Sequence, residues 1–368
     1  MFSLVHTHKF LGGLILTSAL LAAGCSYAGE DATRDKDFAV SKTVKTAIGA
    51  SGSTFVNPIM TRWVSAFQQA HPGVLINYRP IGSGAGLEEL KQGLLEFAAS
   101  DSPLTDEQMK DMTTVIQVPV TAGPVCAVYN VPDVKGSLRL SGATLARIFS
   151  GNIISWQDPA ITHDNPGVKL PKAAIIVVHR SDGSGTTNIL TTYLSKVNRQ
   201  WAEEIGHGLT VRWPVGIGEE GSKGVLDFVQ KNPGTIGYGE LNYAIEKKVP
   251  VASIENRAGA FVTPSPAGAT AAIEAYQSEL EKDPRIPIVD PPATAKNAYP
   301  ITALSFLMVP KDGRDEAERR ELRGFVEYAL TGGQGLAGEL NYAALPEPLQ
   351  RSGRAALQGM TANGQAIK

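Results

Sequence analysis

An α/β fold of two lobes joined by two extended crossings is what this sequence predicts, on three observations. Extended β-branched runs alternate with amphipathic helical patterns through much of the chain, the rhythm of sheets covered by crossover helices. The 368 residues, 43% of them hydrophobic, suffice for two cored domains. Two long extended runs, residues 114–129 and 299–309, interrupt that rhythm. One would carry the chain out of the first lobe and the other would return it.

The elements follow in order. Residues 1–24 have the layout of a lipoprotein-type signal peptide, with an apolar core from Phe10 to Ala23 too short to favour a membrane span and a thin basic lead in Lys9. In Leu21-Ala-Ala-Gly-Cys25 a lipidated Cys25 would become the first residue; a plain signal peptide with a chance cysteine is the alternative. Residues 25–43, small and polar with interspersed charges, form a flexible tether. The run 44–48 leads through Gly49-Ala-Ser-Gly-Ser-Thr-Phe55 into a helix with Ile59, Met60, Trp63, Val64 and Phe67 on one face and Pro58 in its first turn. The run 74–78 leads through Ile81-Gly-Ser-Gly-Ala-Gly86 into a helix carrying Leu87, Leu90, Leu94 and Phe97. Ser100-Asp101-Ser102 ends a strand-like run, and Thr105 is placed to cap a further helix. Pro119 and Pro124 break the first crossing, which reads as two extended pieces. Residues 174–178 then lead through Arg180-Ser-Asp-Gly-Ser-Gly-Thr-Thr187 into a helix on Ile189, Leu190, Tyr193, Leu194 and Val197. A possible strand at 210–213 and a helix at 225–229 flank Gly216-Ile-Gly-Glu-Glu-Gly221. A helix near 271–280, a loop marked by Pro287, Pro291 and Pro292, the second crossing and a helical remainder complete the chain. The expected division is lobe one at 44–120 and 305–368 and lobe two at 121–304.

Three glycine-rich helix starts are the chemical signal. The first N–H groups of a helix lack intrahelical partners and lie at the positive end of its dipole. Ser184, Thr186 and Thr187 add hydroxyls, Gly183 and Gly185 admit a ligand to the backbone, and Arg180 adds a permanently charged fork. Together they describe an anion site, with phosphate or sulfate the natural guest. An ordinary strand–turn–helix connection with a Ser or Asp cap is the alternative at each start. Asp101 would repel a bound anion unless that anion has a proton to donate, which phosphate has at neutral pH and sulfate lacks. Asp182 stands close enough to Arg180 to hold its fork; both acids could instead be helix caps.

Other classes fit poorly. With 34 basic and 36 acidic residues and no basic run, nucleic-acid binding is not expected. His71, His163, His179 and His207 show no metal-ligand spacing, and neither a metal nor a cofactor is expected. His179 adjoins Arg180 but should point the opposite way from its strand. Cys126 lies in an apolar run and reads as a buried free thiol, with a disulfide to Cys25 as the alternative. Gly216–Gly221 has dinucleotide spacing, and Glu240 lies 19 residues beyond Gly221, but Glu219 and Glu220 would face the pyrophosphate; a glycine-rich surface turn is the plainer reading.

Seven motifs together resemble the periplasmic phosphate-binding protein family, the substrate-binding component of the high-affinity ABC-type phosphate importer. They are Gly49–Phe55, Ile81–Gly86, Phe97–Leu104, Arg180–Thr186, Trp213–Gly218, Gly234–Tyr238 and Tyr299–Ile301, and the likeness runs over nearly the whole chain after residue 24. The chain departs from the family pattern after Phe55, where Val56-Asn57-Pro58 replaces the usual proline-led sequence. The resemblance implies the two-lobed periplasmic-binding-protein clamp and phosphate held by Thr54, the Phe55 backbone, Ser83, Asp101, Arg180, Ser184, Gly185 and Thr186. It implies Asp182 as the partner of Arg180 and Asp101 as acceptor of the phosphate proton. It also implies an exported protein of the periplasm or cell surface, anchored through Cys25, monomeric, partnered by a permease and ATPase complex, and not an enzyme. A phosphate-sensing or adhesion role, or a secreted phosphatase using Ser83 or Ser184 as nucleophile, is the alternative.

Overall fold

The computed structural model describes residues 44–134 and 136–367, so the expected signal peptide and tether at residues 1–43, with Cys25, lie outside the described residues. The chain opens with β1 (Thr46–Gly52), α1 (Asn57–Ala70), β2 (Val74–Arg79), α2 (Ser83–Lys91), β3 (Phe97–Ser100) and α3 (Asp106–Asp111). The long β4 (Val115–Asn130) follows. Next come β5 (Arg139–Leu140), α4 (Gly142–Phe149), α5 (Pro159–Asp164), β6 (Ile176–Arg180), α6 (Gly185–Val197) and α7 (Arg199–Glu204). Then follow β7 (Ile217–Glu219), α8 (Gly221–Lys231), β8 (Thr235–Glu240), α9 (Leu241–Glu246), β9 (Ser253–Glu255), β10 (Phe261–Val262), α10 (Pro266–Ala275) and α11 (Gln277–Leu280). The chain returns through β11 (Thr302–Pro310) to α12 (Glu316–Ala329) and α13 (Glu347–Leu357).

Strand order in the main sheet is β2-β1-β3-β11-β4-β8-β6-β7. Its first half is parallel from β2 to β3, with β11 antiparallel to β3 and β4. β4 belongs to both halves. Residues 115–124 pair with β11, and 125–130 pair antiparallel with β8. The first crossing is therefore one sixteen-residue strand and not two pieces. Both prolines sit where a missing N–H is harmless: Pro119 faces the register shift at Ser305/Phe306, and Pro124 stands where the partner changes from β11 to β8.

Three elements differ from what the sequence predicts. α2 stops at Lys91, because Gly93 turns left-handed with φ 70°; Leu94 is exposed and Phe97 opens β3 instead. Residues 210–213 form no strand. β6 extends two residues past the apolar run, so Arg180 is its last residue rather than the first of a turn.

Each half has its own apolar packing. Ile59, Met60, Trp63 and Phe67 of α1 are buried, and Phe67 meets Phe325 of α12 edge-on at 5.5 Å. Thr105 caps α3 in a capping box with Gln108, as its sequence predicts. In the second half Ile189, Leu190, Tyr193 and Leu194 bury one face of α6. Trp213 stacks on His179 at 4.8 Å and touches Phe149, Trp201 and Tyr238, an aromatic block behind β6 that fixes the strand ending in Arg180. His179 thus points away from the Arg180 side chain, as strand alternation requires. Cys126 is buried and free. Among the described residues no helix is long and apolar enough to cross a membrane.

Candidate functional site

The three glycine-rich starts meet at one place. Gly52 ends β1 with φ 136°, a conformation glycine alone adopts cheaply, and its carbonyl accepts from the Gly82 amide at 2.8 Å. This joins the first start to the second. The Gly84 amide then donates to the Gly183 carbonyl at 2.8 Å, joining the second to the third across 99 residues of sequence separation. A Cβ on Gly185 would lie 2.7 Å from Ser83 Oγ and 2.8 Å from the Asp101 amide, so the start of α6 presses directly on the opposite wall.

Arg180 is 4% exposed. Its Nε donates to Asp182 Oδ1 at 2.6 Å and its Nη2 pairs with Asp182 Oδ2, a two-point fork that fixes the guanidinium plane. Burial opposes the charge on Arg180, but the Asp182 carboxylate more than offsets this. Burial likewise pushes Asp182 upward, yet Arg180 and the Gly221 amide, 3.0 Å from Oδ1, hold it below the usual carboxylate range. The Arg180 amide donates to Tyr238 Oη at 3.0 Å, and that hydroxyl also bonds Thr187 Oγ1 at 2.6 Å. The amide, Nε and Nη2 of Arg180 are thereby placed from behind, leaving Nη1 turned toward Ser222 at 3.3 Å.

Asp101 is 1% exposed and follows β3. Ser53 Oγ donates to its Oδ2 at 2.6 Å and Ser305 Oγ to its Oδ1 at 2.7 Å. Burial pushes its pKa up to about 6, against Ser53, Ser305 and the Arg180 charge. At neutral pH Asp101 is therefore mostly an acceptor.

The remaining expected residues line the same place. Ser83 is buried at the start of α2, its Oγ 3.4 Å from the Asp101 amide. Thr186 is buried with no hydrogen-bond partner on Oγ1. Ser184 caps α6, accepting from Thr187 N at 3.1 Å, so the capping alternative holds for its acceptor side while its proton stays available. The Phe55 amide donates to Ser53 Oγ at 3.0 Å, and the Phe55 carbonyl accepts from Tyr342 Oη. Thr54 Oγ1 lies 2.9 Å from Ser222 Oγ.

Ser222 and its helix carry no residue-level signal as site elements. Gly216–Gly221 is more than a surface turn: Gly221, at φ 66°, opens α8, and Ser222 in its first turn bridges Thr54 and Arg180. A fourth helix start thus joins the other three. Asn188 Nδ2 to Ser102 Oγ at 3.0 Å and Asn57 Nδ2 to Tyr243 Oη at 3.2 Å are two further contacts between segments far apart in sequence.

A buried cradle of hydroxyls and helix starts around one arginine, enclosed between two halves of a shared sheet, defines a two-lobed anion-binding protein. A family model described as a PBP superfamily domain matches residues 30–332. The phosphate-binding protein PstS of Xylella fastidiosa (strain Temecula1) is 37% identical over 345 residues, covering 91% of this chain and 94% of that one. PstS of Methanocaldococcus jannaschii is 36% identical over 368 residues, covering 93% and 92%. Among solved structures, a high-affinity periplasmic phosphate-binding protein (PfluDING) bound with phosphate superposes with TM-score 0.67 at 23% identity, covering 84% of this chain and 93% of that one. An ABC-type phosphate transport receptor from Vibrio cholerae gives TM-score 0.53 at 19% identity, covering 81% and 100%. At these identities the two structures speak for the fold alone. The chain belongs to the PBP superfamily and, within it, to the PstS phosphate-binding proteins.

Proposed function

We propose that this protein captures inorganic phosphate between its lobes, unchanged, and delivers it to an ABC-type import complex of permease and ATPase. The observation that carries the reading is the pairing of opposite demands in one buried site. Arg180, held by Asp182, supplies positive charge, while Asp101 accepts from two serines and can still accept a proton from the ligand. Thr54, the Phe55 backbone, Ser83, Ser184, Gly185 and Thr186 complete the site, and the unpartnered Thr186 hydroxyl supports that assignment. The lobes divide as 44–120 with 305–368 and 121–304, near the place where β4 changes partner. The chain is exported to the periplasm or cell surface, held there through a lipid on Cys25, and works as a monomer.

Capture requires the lobes to move, because the site residues are shielded by contacts between distant segments. X-ray scattering of the ligand-stripped protein should show a larger radius of gyration that contracts on adding phosphate. Identical profiles in both states would contradict a closing clamp. Incubation with a phosphate monoester should release no inorganic phosphate; turnover would move the reading to a phosphatase.

Gly185→Ala separates binding from folding. Alanine suits a helix better than glycine, so the melting temperature of the stripped protein should hold or rise slightly. The added methyl would overpack against Ser83 and Asp101 only when the lobes are together, at a cost of about 1–3 kcal/mol, and phosphate affinity should fall about tenfold or more by calorimetry. Unchanged affinity would mean that the walls do not meet there in the bound protein.

A further inference from the structure

Glu240 ends β8 and occupies the N-cap position of α9, yet its side chain makes no capping bond. It is 1% exposed, and neither carboxylate oxygen has a hydrogen-bond partner. A buried acid that leaves an adjacent helix start uncapped, with only its own amide and the Ser222 hydroxyl near it and neither in hydrogen-bond geometry, is unusual. Strand alternation turns Glu240 to the same face as Tyr238, whose hydroxyl accepts from the Arg180 amide. Glu240 therefore lies behind the anion cradle.

The groups that act on it electrostatically come from neighbouring elements and from the residues after β3 and before α13. They are Arg180 of β6, Asp101 after β3, Ser222 of α8, Cys126 of β4, Tyr243 of α9 and Tyr342 before α13. Only Arg180 is a cation, and its fork is committed to Asp182 and directed toward Ser222. An ionised Glu240 would add a negative charge with no counter-ion of its own to a site that already holds Asp101. A carboxylate in that position is far cheaper as the neutral acid. Burial pushes its pKa up to about 8, restrained by its own amide, by the nearby Ser222 hydroxyl and by the Arg180 charge.

We propose that Glu240 sets the charge of the anion site by carrying a proton, so that phosphate binding above neutral pH draws one proton into the protein through this residue. The inference rests on phosphate being the ligand. A bound dianion makes ionised Glu240 still less favourable, so the complex holds the proton more tightly than the free protein does. Uptake on binding means that affinity falls as pH rises through the free protein's titration, by up to about tenfold per pH unit. Below about pH 7 Glu240 is neutral in both states and the coupling disappears. Glu240 touches no ligand in this account; it is a positioning residue that acts through charge.

Glu240→Gln keeps the shape of the neutral acid and removes its titration. Phosphate is titrated calorimetrically into wild type and variant at pH 6 and pH 8.5, each in two buffers of different ionisation enthalpy, which counts protons exchanged. Both proteins should bind phosphate alike at pH 6. At pH 8.5 wild type should take up more protons per phosphate than the variant, and only wild type should show the extra loss of affinity. Subtracting the variant removes the ionisation of phosphate itself. Equal proton counts at pH 8.5 overturn the role of Glu240 while leaving phosphate binding intact, whereas no binding at either pH overturns the phosphate reading beneath it. If the variant does not fold, NMR titration of wild type labelled at glutamate Cδ gives the same decision. One carboxyl should titrate near pH 8 and shift upward with phosphate; no glutamate titrating above pH 7 sinks the proposal.

Discussion

Arg180→Ala should abolish tight phosphate binding. Arg180 is the cation of a buried site, and its substitution does two things at once. It takes away the charge that offsets a dianion. It also strands Asp182, whose oxygens accept from Arg180 Nε and Nη2, leaving a carboxylate without a counter-ion and with the Gly221 amide as its remaining donor. Removing one partner of a buried pair costs about 3–5 kcal/mol, or about two to four orders of magnitude if all of it appears in affinity. Arg180→Lys should recover little, because an ammonium cannot meet Asp182 at two points and still face the ligand. Equilibrium dialysis with labelled phosphate reads the loss, and retained affinity would remove Arg180 from the site.

Asp101→Asn should leave phosphate binding in place but relax the rejection of sulfate. The Asp101 carboxylate, buried and ionised above about pH 6, can only accept. Sulfate at neutral pH has no proton to give and leaves that acceptor facing an anion, a penalty of several kcal/mol or about a thousandfold in preference. Asparagine offers an N–H instead, and the Ser53 and Ser305 hydroxyls can rotate to suit it. The same logic gives a pH dependence in wild type. The folded pKa of Asp101 stands above its ordinary value, so its proton is gained as pH falls through about 6, and the protonated acid can donate to sulfate. The ratio of sulfate to phosphate dissociation constants should therefore be high at pH 8 and collapse toward pH 5. A ratio flat with pH, or unchanged in Asp101→Asn, would assign selectivity elsewhere.

How far these features can be read from the residues depends on sequence distance. The glycine-rich starts at Gly49, Ile81 and Arg180 are local patterns, each a strand end, a turn and a helix, and local physics suffices to place them. The arginine–aspartate fork is equally local, two residues apart. Ser305 and Ser222 are not: Ser305 lies 204 residues from Asp101 inside an apolar strand, and Ser222 lies behind a glycine pattern that imitates a dinucleotide turn. Only the folded sheet brings them in. The end of α2 is legible too, since Gly93 is a helix-stop signal within the pattern itself. Pro119 and Pro124 do not break β4, because one lies at a register shift of the ladder and the other where the partner strand changes, which no local pattern reveals.

A buried site of this kind should take phosphate and refuse sulfate. Calorimetric titration of the ligand-stripped protein at neutral pH, first with sulfate and then with phosphate, tests it most directly. The expected result is no sulfate heat followed by tight one-to-one phosphate binding. Comparable binding of both anions would contradict the role of Asp101, and binding of neither would contradict phosphate as the ligand.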